Sequence, residues 1–302
     1  MQLRRTAVAV VVDAPAKLNL FFEVLSRRAD GYHEIETLMC PIDLYDTIEF
    51  REESDGQLTL RCERVTGSVG AGDSEPIQVP EGPDNLALRA VELLRRRTGA
   101  ERGARLRLIK RIPTSAGLGG GSSDAAAALV AANVGWGIGW PRDRLARLAA
   151  ELGSDVPFFL AGGAAICRGR GELVEPVADS RVLDFVVVRP PVGLATAEVY
   201  RACRAADRPK SLGPALEAFR RADLGALGAS LHNRLHEVAE SLSPWVRRLG
   251  EEFRRAETPG WTMTGSGSAC FALCRHARHA RRLARRLRSL RLGTVFAVRT
   301  CH

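Results

Sequence analysis

The run PTSAGLGGGSSDAA, Pro113 to Ala126, passes abruptly from glycine to alanine. Glycine leaves peptide N–H groups uncovered. A helix beginning near Ser123 would direct its own unpaired N–H groups, and the positive end of its dipole, into the same space. Such a place suits a phosphate. Ser122 and Ser123 add hydroxyls for contacts or a cap. The run matches neither GxxxxGK[ST], since no lysine follows Gly121, nor GxGxxG, since Ser122 stands where the third glycine belongs. Taken alone, it reads equally well as a tight packing turn.

Two charges stand in apolar surroundings. Lys17 interrupts the strand-like PAKLNLFFEV, and Asp155 in LGSDVPFFL separates a helical pattern from an apolar run. Pairing them would offset both burial costs and keep Asp155 an anion able to take a proton from a hydroxyl. A separate strand-edge lysine and a helix N-cap aspartate explain the spacing equally well. Lysine itself is scarce: of 44 Lys plus Arg, only Lys17, Lys110 and Lys210 are lysine. Where arginine serves almost everywhere, a lysine points to a need for a compact ammonium. A third segment, TGSGSACFAL, carries Gly265 and Gly267.

These residues need elements to hold them. Residues 8–12, 18–25, 42–50, 58–62 and 104–110 read as strands, and 85–97, 123–133 and 142–152 as helices. Residues 67–84, rich in Gly, Pro, Ser and Glu, read as a surface excursion. Strands follow at 164–168, 182–189, 269–273 and 294–299, with a turn at 169–171. Strands and helices mix without a βαβ rhythm, so an α+β protein in two lobes is expected, divided at 1–163 and 164–302, with the last strand free to return to the first lobe.

A chain of 302 residues with 45% hydrophobic and 26% charged residues is globular in composition. The apolar start, MQLRRTAVAVVV, is short and closed by Asp13, so a buried strand is expected rather than a signal peptide. No stretch approaches the ~20 apolar residues of a membrane span. Seven cysteines without a CxxC pair read as reduced, mostly buried thiols of a cytoplasmic protein. His232 and His236 have helical i, i+4 spacing but no third ligand nearby in sequence, and read as a surface pair. The net charge of +9 gathers at Arg275 to Leu292, which reads as an amphipathic helix with a solvated arginine face.

PAKLNL, PTSAGLGGGSSDAA and TGSGSACFAL together resemble the three motifs of the GHMP small-molecule kinases, and the resemblance covers nearly the whole chain. Within that family, RADGYHEIETL, LGSDVPFFL and RGRGE are similar to the members acting on 4-diphosphocytidyl-2-C-methyl-D-erythritol in the non-mevalonate isoprenoid route. The resemblance implies a GHMP kinase fold, with an N-terminal ribosomal-S5-like lobe and the active site between two lobes. It implies ATP with Mg2+, and phosphorylation of the substrate's 2-hydroxyl. It places the ATP phosphates on Pro113, Thr114, Ser115, Ala116, Gly117, Leu118, Gly119, Gly120, Gly121, Ser122 and Ser123, and adenosine near Asn85, Leu86 and Lys110. Asp155 becomes the base and Lys17 its partner. Asn19, Tyr32, His33 and Tyr200 map to the substrate, the rings to its cytosine.

The chain departs from the family at LHNRLHE, where Arg234 follows Asn233 and the family often has an acidic pair. The resemblance therefore assigns Asn233 no role. The expected partner is a small molecule, with neither nucleic acid nor membrane, for a monomer or homodimer. Competing expectations are a relative acting on homoserine or mevalonate, and a non-catalytic nucleic-acid-binding module.

Overall fold

The computed structural model describes residues 1–64, 79–178 and 182–301. In chain order the described elements begin β1 (Gln2–Arg5), β2 (Val10–Arg27), β3 (His33–Glu53), β4 (Leu58–Arg64), α1 (Leu86–Thr98), β5 (Gly103–Lys110), α2 (Gly120–Gly135), α3 (Arg142–Ala149) and α4 (Val156–Ala161). There follow β6 (Ala165–Gly169), β7 (Leu173–Pro176), β8 (Asp184–Arg189), α5 (Thr196–Ala202), α6 (Gly213–Arg221), α7 (Leu224–Ser230) and β9 (His232–Asn233). Last come α8 (His236–Leu242), α9 (Pro244–Arg255), β10 (Gly260–Met263), β11 (Cys270–Cys274), α10 (Ala277–Ser289) and β12 (Thr294–Arg299).

The fold is α+β with two sheets. One runs β1-β2-β3-β5-β4, with β6 on β3, β7 on β6 and β9 on β2; the other runs β10-β11-β8-β12. The antiparallel pair β2 and β3 is long enough to serve both halves of the molecule. Its outer part packs under α1, α2, α3 and α4. Its inner part, through Leu18, Leu20 and Leu38, shares a core with Phe185 and Phe271 of the second sheet.

Several expected boundaries shift for that reason. Strands expected at 8–12 and 18–25 are one strand, β2, carried across Pro15 by a register shift at Pro15/Ala16. The division expected at 163/164 falls between α4 and β6, yet β6, β7 and β9 join the first sheet because the long β2 and β3 offer them edges. The last strand, β12, lies on β8 in the second sheet, and the chain returns to β3 just beyond it, where Thr300 bridges Ile42 and Cys301 N–H donates to Pro41 O at 3.1 Å. Helix α2 starts at Gly120, three residues earlier than composition suggests. Tertiary packing overrides glycine's weak helix propensity there: a Cβ on Gly120 would stand 3.0 Å from Ile112 Cγ2 and 3.3 Å from Lys110 Nζ. The 67–84 excursion lies mostly outside the described residues.

Candidate active site

Lys17 and Asn19 occupy the same face of β2, between the register shifts at Pro15/Ala16 and Asn19/Phe21. The Lys17 side chain is buried, donates to Asn19 Oδ1, and sets its ammonium 3.7 Å from Asp155 Oδ2. Asp155 stands at the N-cap of α4, but its carboxylate makes no capping bond. Of the two explanations the spacing allowed, the geometry selects the pair. Burial pushes the Lys17 ammonium below the usual lysine range, and the Asp155 charge pulls it back. Gly171, at φ +120°, brings the turn between β6 and β7 against Asp155, where a Cβ would lie 3.5 Å from Oδ1.

The three motifs interlock through backbone. Lys17 N–H donates to Leu118 O at 3.0 Å, and Ala269 N–H donates to Ala116 O at 3.2 Å. Thr264 Oγ1 bridges Asn19 Oδ1 at 3.1 Å and Gly117 O at 3.3 Å, and accepts from Asn19 N–H. Gly117 must be glycine, because at φ +75° its Cβ would fall 2.1 Å from Thr264 O. Ala116 and Leu118 therefore face the core and brace the loop, while Ser115, Gly117 and Gly119 face a cleft of about 690 Å³. Gly119, the N-cap of α2, lies against the Lys17 side chain, where a Cβ would stand 3.0 Å from Cγ. The loop thus lines the cleft that holds Lys17 and Asp155 and is not a remote packing turn.

At the other end of the cleft, the rings of His33 and Tyr200 lie 5.2 Å apart at 34°. Tyr32 sits at the exposed rim under the Arg170 guanidinium, 4.9 Å from its ring centre. Burial lowers the His33 pKa, with Arg27 adding to the effect, and raises that of Tyr200. Both rings are accordingly neutral near pH 7, apolar faces with polar edges.

Profiles for the GHMP kinases N terminal domain and the GHMP kinases C terminal domain match residues 85–163 and 215–290, about half of the chain between them. A 4-diphosphocytidyl-2-C-methyl-D-erythritol kinase of Pelotomaculum thermopropionicum is 43% identical over 277 residues, 91% of this chain and 92% of that protein. The corresponding kinase of Shouchella clausii is 37% identical over 95% of this chain and 93% of its own. This chain belongs to the 4-diphosphocytidyl-2-C-methyl-D-erythritol kinase family of GHMP kinases. A crystal structure of a 4-(cytidine 5'-diphospho)-2C-methyl-D-erythritol kinase superposes with a TM-score of 0.79, at 36% identity, over 97% of this chain and all of the other. A homoserine kinase from Cytophaga hutchinsonii, 17% identical with a TM-score of 0.75 over 100% and 97%, shares the fold.

The residues expected near adenosine divide in this family member. Asn85 caps α1, accepting from Ala87 N–H at 2.9 Å and donating to Pro80 O at 2.7 Å, so its amide is already engaged. Leu86 is half-buried facing Gly121. Lys110 is buried between Asp46 and Asp124, 2.7 Å from the latter, with its ammonium beneath Gly120. Its ammonium thus sits behind the loop, held by two carboxylates. Burial raises Asp124 to about 8 against the pull of Lys110. Ser123, expected on the phosphates, is fully buried.

Sequence reasoning gave no site role to several other residues. Thr264 stitches two motifs together, and Arg27, Arg170 and Arg201 line the cleft. Asn233 donates to Met263 O and Gly265 O, both at 2.8 Å, inside the third glycine segment. Arg234, the departure from the family pattern, pairs with Glu23, a strand carboxylate that only an apolar-pattern anomaly could have flagged. His232 and His236 do not share a helix: the first lies in β9 and meets Glu23 at 3.1 Å, the second opens α8 and meets Glu240 at 3.3 Å.

Proposed function

We propose that the chain transfers the γ-phosphoryl group of ATP to the 2-hydroxyl of 4-diphosphocytidyl-2-C-methyl-D-erythritol, giving the 2-phosphate, within the non-mevalonate isoprenoid route. The observation carrying this reading is the Lys17–Asp155 pair, placed where the glycine cradle and the aromatic end of one cleft meet. Phosphoryl transfer asks a protein chiefly for positioning and charge stabilisation. The cradle and the α2 N-terminus hold the phosphates. Asp155 takes the hydroxyl proton, Lys17 stabilises the alkoxide that develops, and Asn19 holds the ammonium. His33, Tyr32 and Tyr200 receive the cytosine.

Mg2+ bound with ATP would spread the phosphate charge. Ser123 Oγ and Asp124 Oδ1, buried without a hydrogen-bond partner beside the cradle, are hard oxygens of the kind that would hold it. Among the described residues no helix is long and apolar enough to cross a membrane. The seven free cysteines support a reducing compartment.

The test is an assay of purified protein with ATP against the cytidylyl alcohol, homoserine and mevalonate. Turnover of the cytidylyl alcohol with little of the others is expected. Preference for homoserine or mevalonate would overturn the assignment.

A further inference from the structure

Glu23 is a fully buried carboxylate on β2, outside the cleft, with five donors around it. Arg234 donates from Nε at 2.6 Å and Nη2 at 2.8 Å, Lys210 N–H at 2.9 Å and Val24 N–H at 3.0 Å, and His232 Nε2 lies at 3.1 Å. Two of these partners, His232 and Arg234, are the residues on either side of Asn233. The backbone adds to this: Asn233 pairs with Phe22 in the parallel β2–β9 bridge, and Arg234 N–H donates to Phe22 O at 2.9 Å. Asn233 is thus pinned from both sides onto the strand that carries Lys17 and Asn19.

Its amide points the other way, into the third glycine segment. Nδ2 donates to both Met263 O and Gly265 O, while Oδ1 accepts from Leu235 N–H at 2.9 Å. Those two carbonyls bracket Thr264, the residue that bridges Asn19 and Gly117. A Cβ on Gly265 would stand 3.2 Å from Lys17 Nζ, and Ser266 Oγ lies 2.9 Å from Thr196 Oγ1 across the cleft. The segment held by Asn233 therefore touches the ammonium, the phosphate cradle and the acceptor side together.

We propose that Asn233 is a positioning residue for phosphoryl transfer, clamping the Met263–Gly265 segment against Lys17, and that the buried Glu23–Arg234 pair sets its place. This rests on the kinase reading given above. The clamp acts on the geometry of the reacting groups rather than on the capture of either substrate. Its loss should therefore appear in kcat, since displacement of about 1 Å costs on the order of a hundredfold.

The experiment first requires that the unaltered protein turn over the cytidylyl alcohol; if it does not, the kinase assignment fails and not the clamp. Given that activity, Asn233→Ala should lower kcat by about thirtyfold or more, with KM for both substrates within about threefold. A folded Asn233→Ala protein with unchanged kcat, or one altered only in KM, overturns the proposal. Glu23→Gln, Arg234→Gln and the double variant test the supporting pair whether or not Asn233→Ala folds. Each single change breaks the pair and should lower kcat, and the double change, which removes the pair altogether, should not restore it even where it recovers thermal stability. A folded double variant with near-normal kcat overturns the role of the pair.

Discussion

A lysine inside an apolar strand and an aspartate at a helix start are each anomalies that one-dimensional patterning exposes. Their pairing is not, because nothing along the chain encodes a 3.7 Å contact between segments so far apart. With the pair in place, Asp155→Asn should keep the fold and nucleotide affinity while kcat falls by at least about a hundredfold, read by steady-state turnover beside equilibrium ATP-analogue binding. Near-normal turnover would remove Asp155 from the base role. Lys17→Arg conserves charge, yet the pocket around the ammonium is closed by Asn19, Gly119 and Gly265. A wider, planar guanidinium cannot occupy it, and kcat should drop by roughly tenfold or more; full activity would show that any cation suffices. Lys110 teaches the converse. Its rarity marked it as a compact ammonium, but only the tertiary structure places that ammonium between two buried carboxylates behind the glycine loop.

Among the elements, β5, α1 and α3 were legible because their apolar periods are clean. The start of α2 was not, since glycine propensity argues against helix and only the space above Ile112 explains it. The short β9 was equally invisible: two residues gain a strand only because β2 offers an edge. The join it makes is electrostatic. Its neighbours hold the Glu23 carboxyl down to about 2 from an ordinary 4.5, against the opposing effect of burial. A depressed carboxylate stabilises the fold above its unfolded pKa and loses that contribution as pH falls through the folded value. Glu23→Gln should thus cost on the order of 2 kcal/mol near pH 7, and the gap should close between pH 4.5 and about 2, as read by urea unfolding across that range. A gap independent of pH would show that shape, not charge, matters at this position.

For the whole molecule, charge and topology separate. The excess of arginine along α10 is outward-facing at Arg278, Arg281, Arg282 and Arg285, whereas Ala280, Leu283, Ala284 and Leu287 form the buried face. Arg281→Gln with Arg285→Gln should change stability by about 0.5 kcal/mol or less and leave kcat/KM unchanged in physiological salt. A marked fall in kcat/KM that salt abolishes would instead reveal steering of the anionic substrates. The sequence by itself determined which segments are glycine-rich turns, which faces are apolar and which charges are out of place, because these follow from residue type and local period. Tertiary structure decided which charges meet, which glycines admit a neighbouring backbone, and that β2 of the first sheet shares a core with the second. Those outcomes depend on contacts between distant segments, formed only once the shared core brings β2, the α2 loop and the third glycine segment to one point.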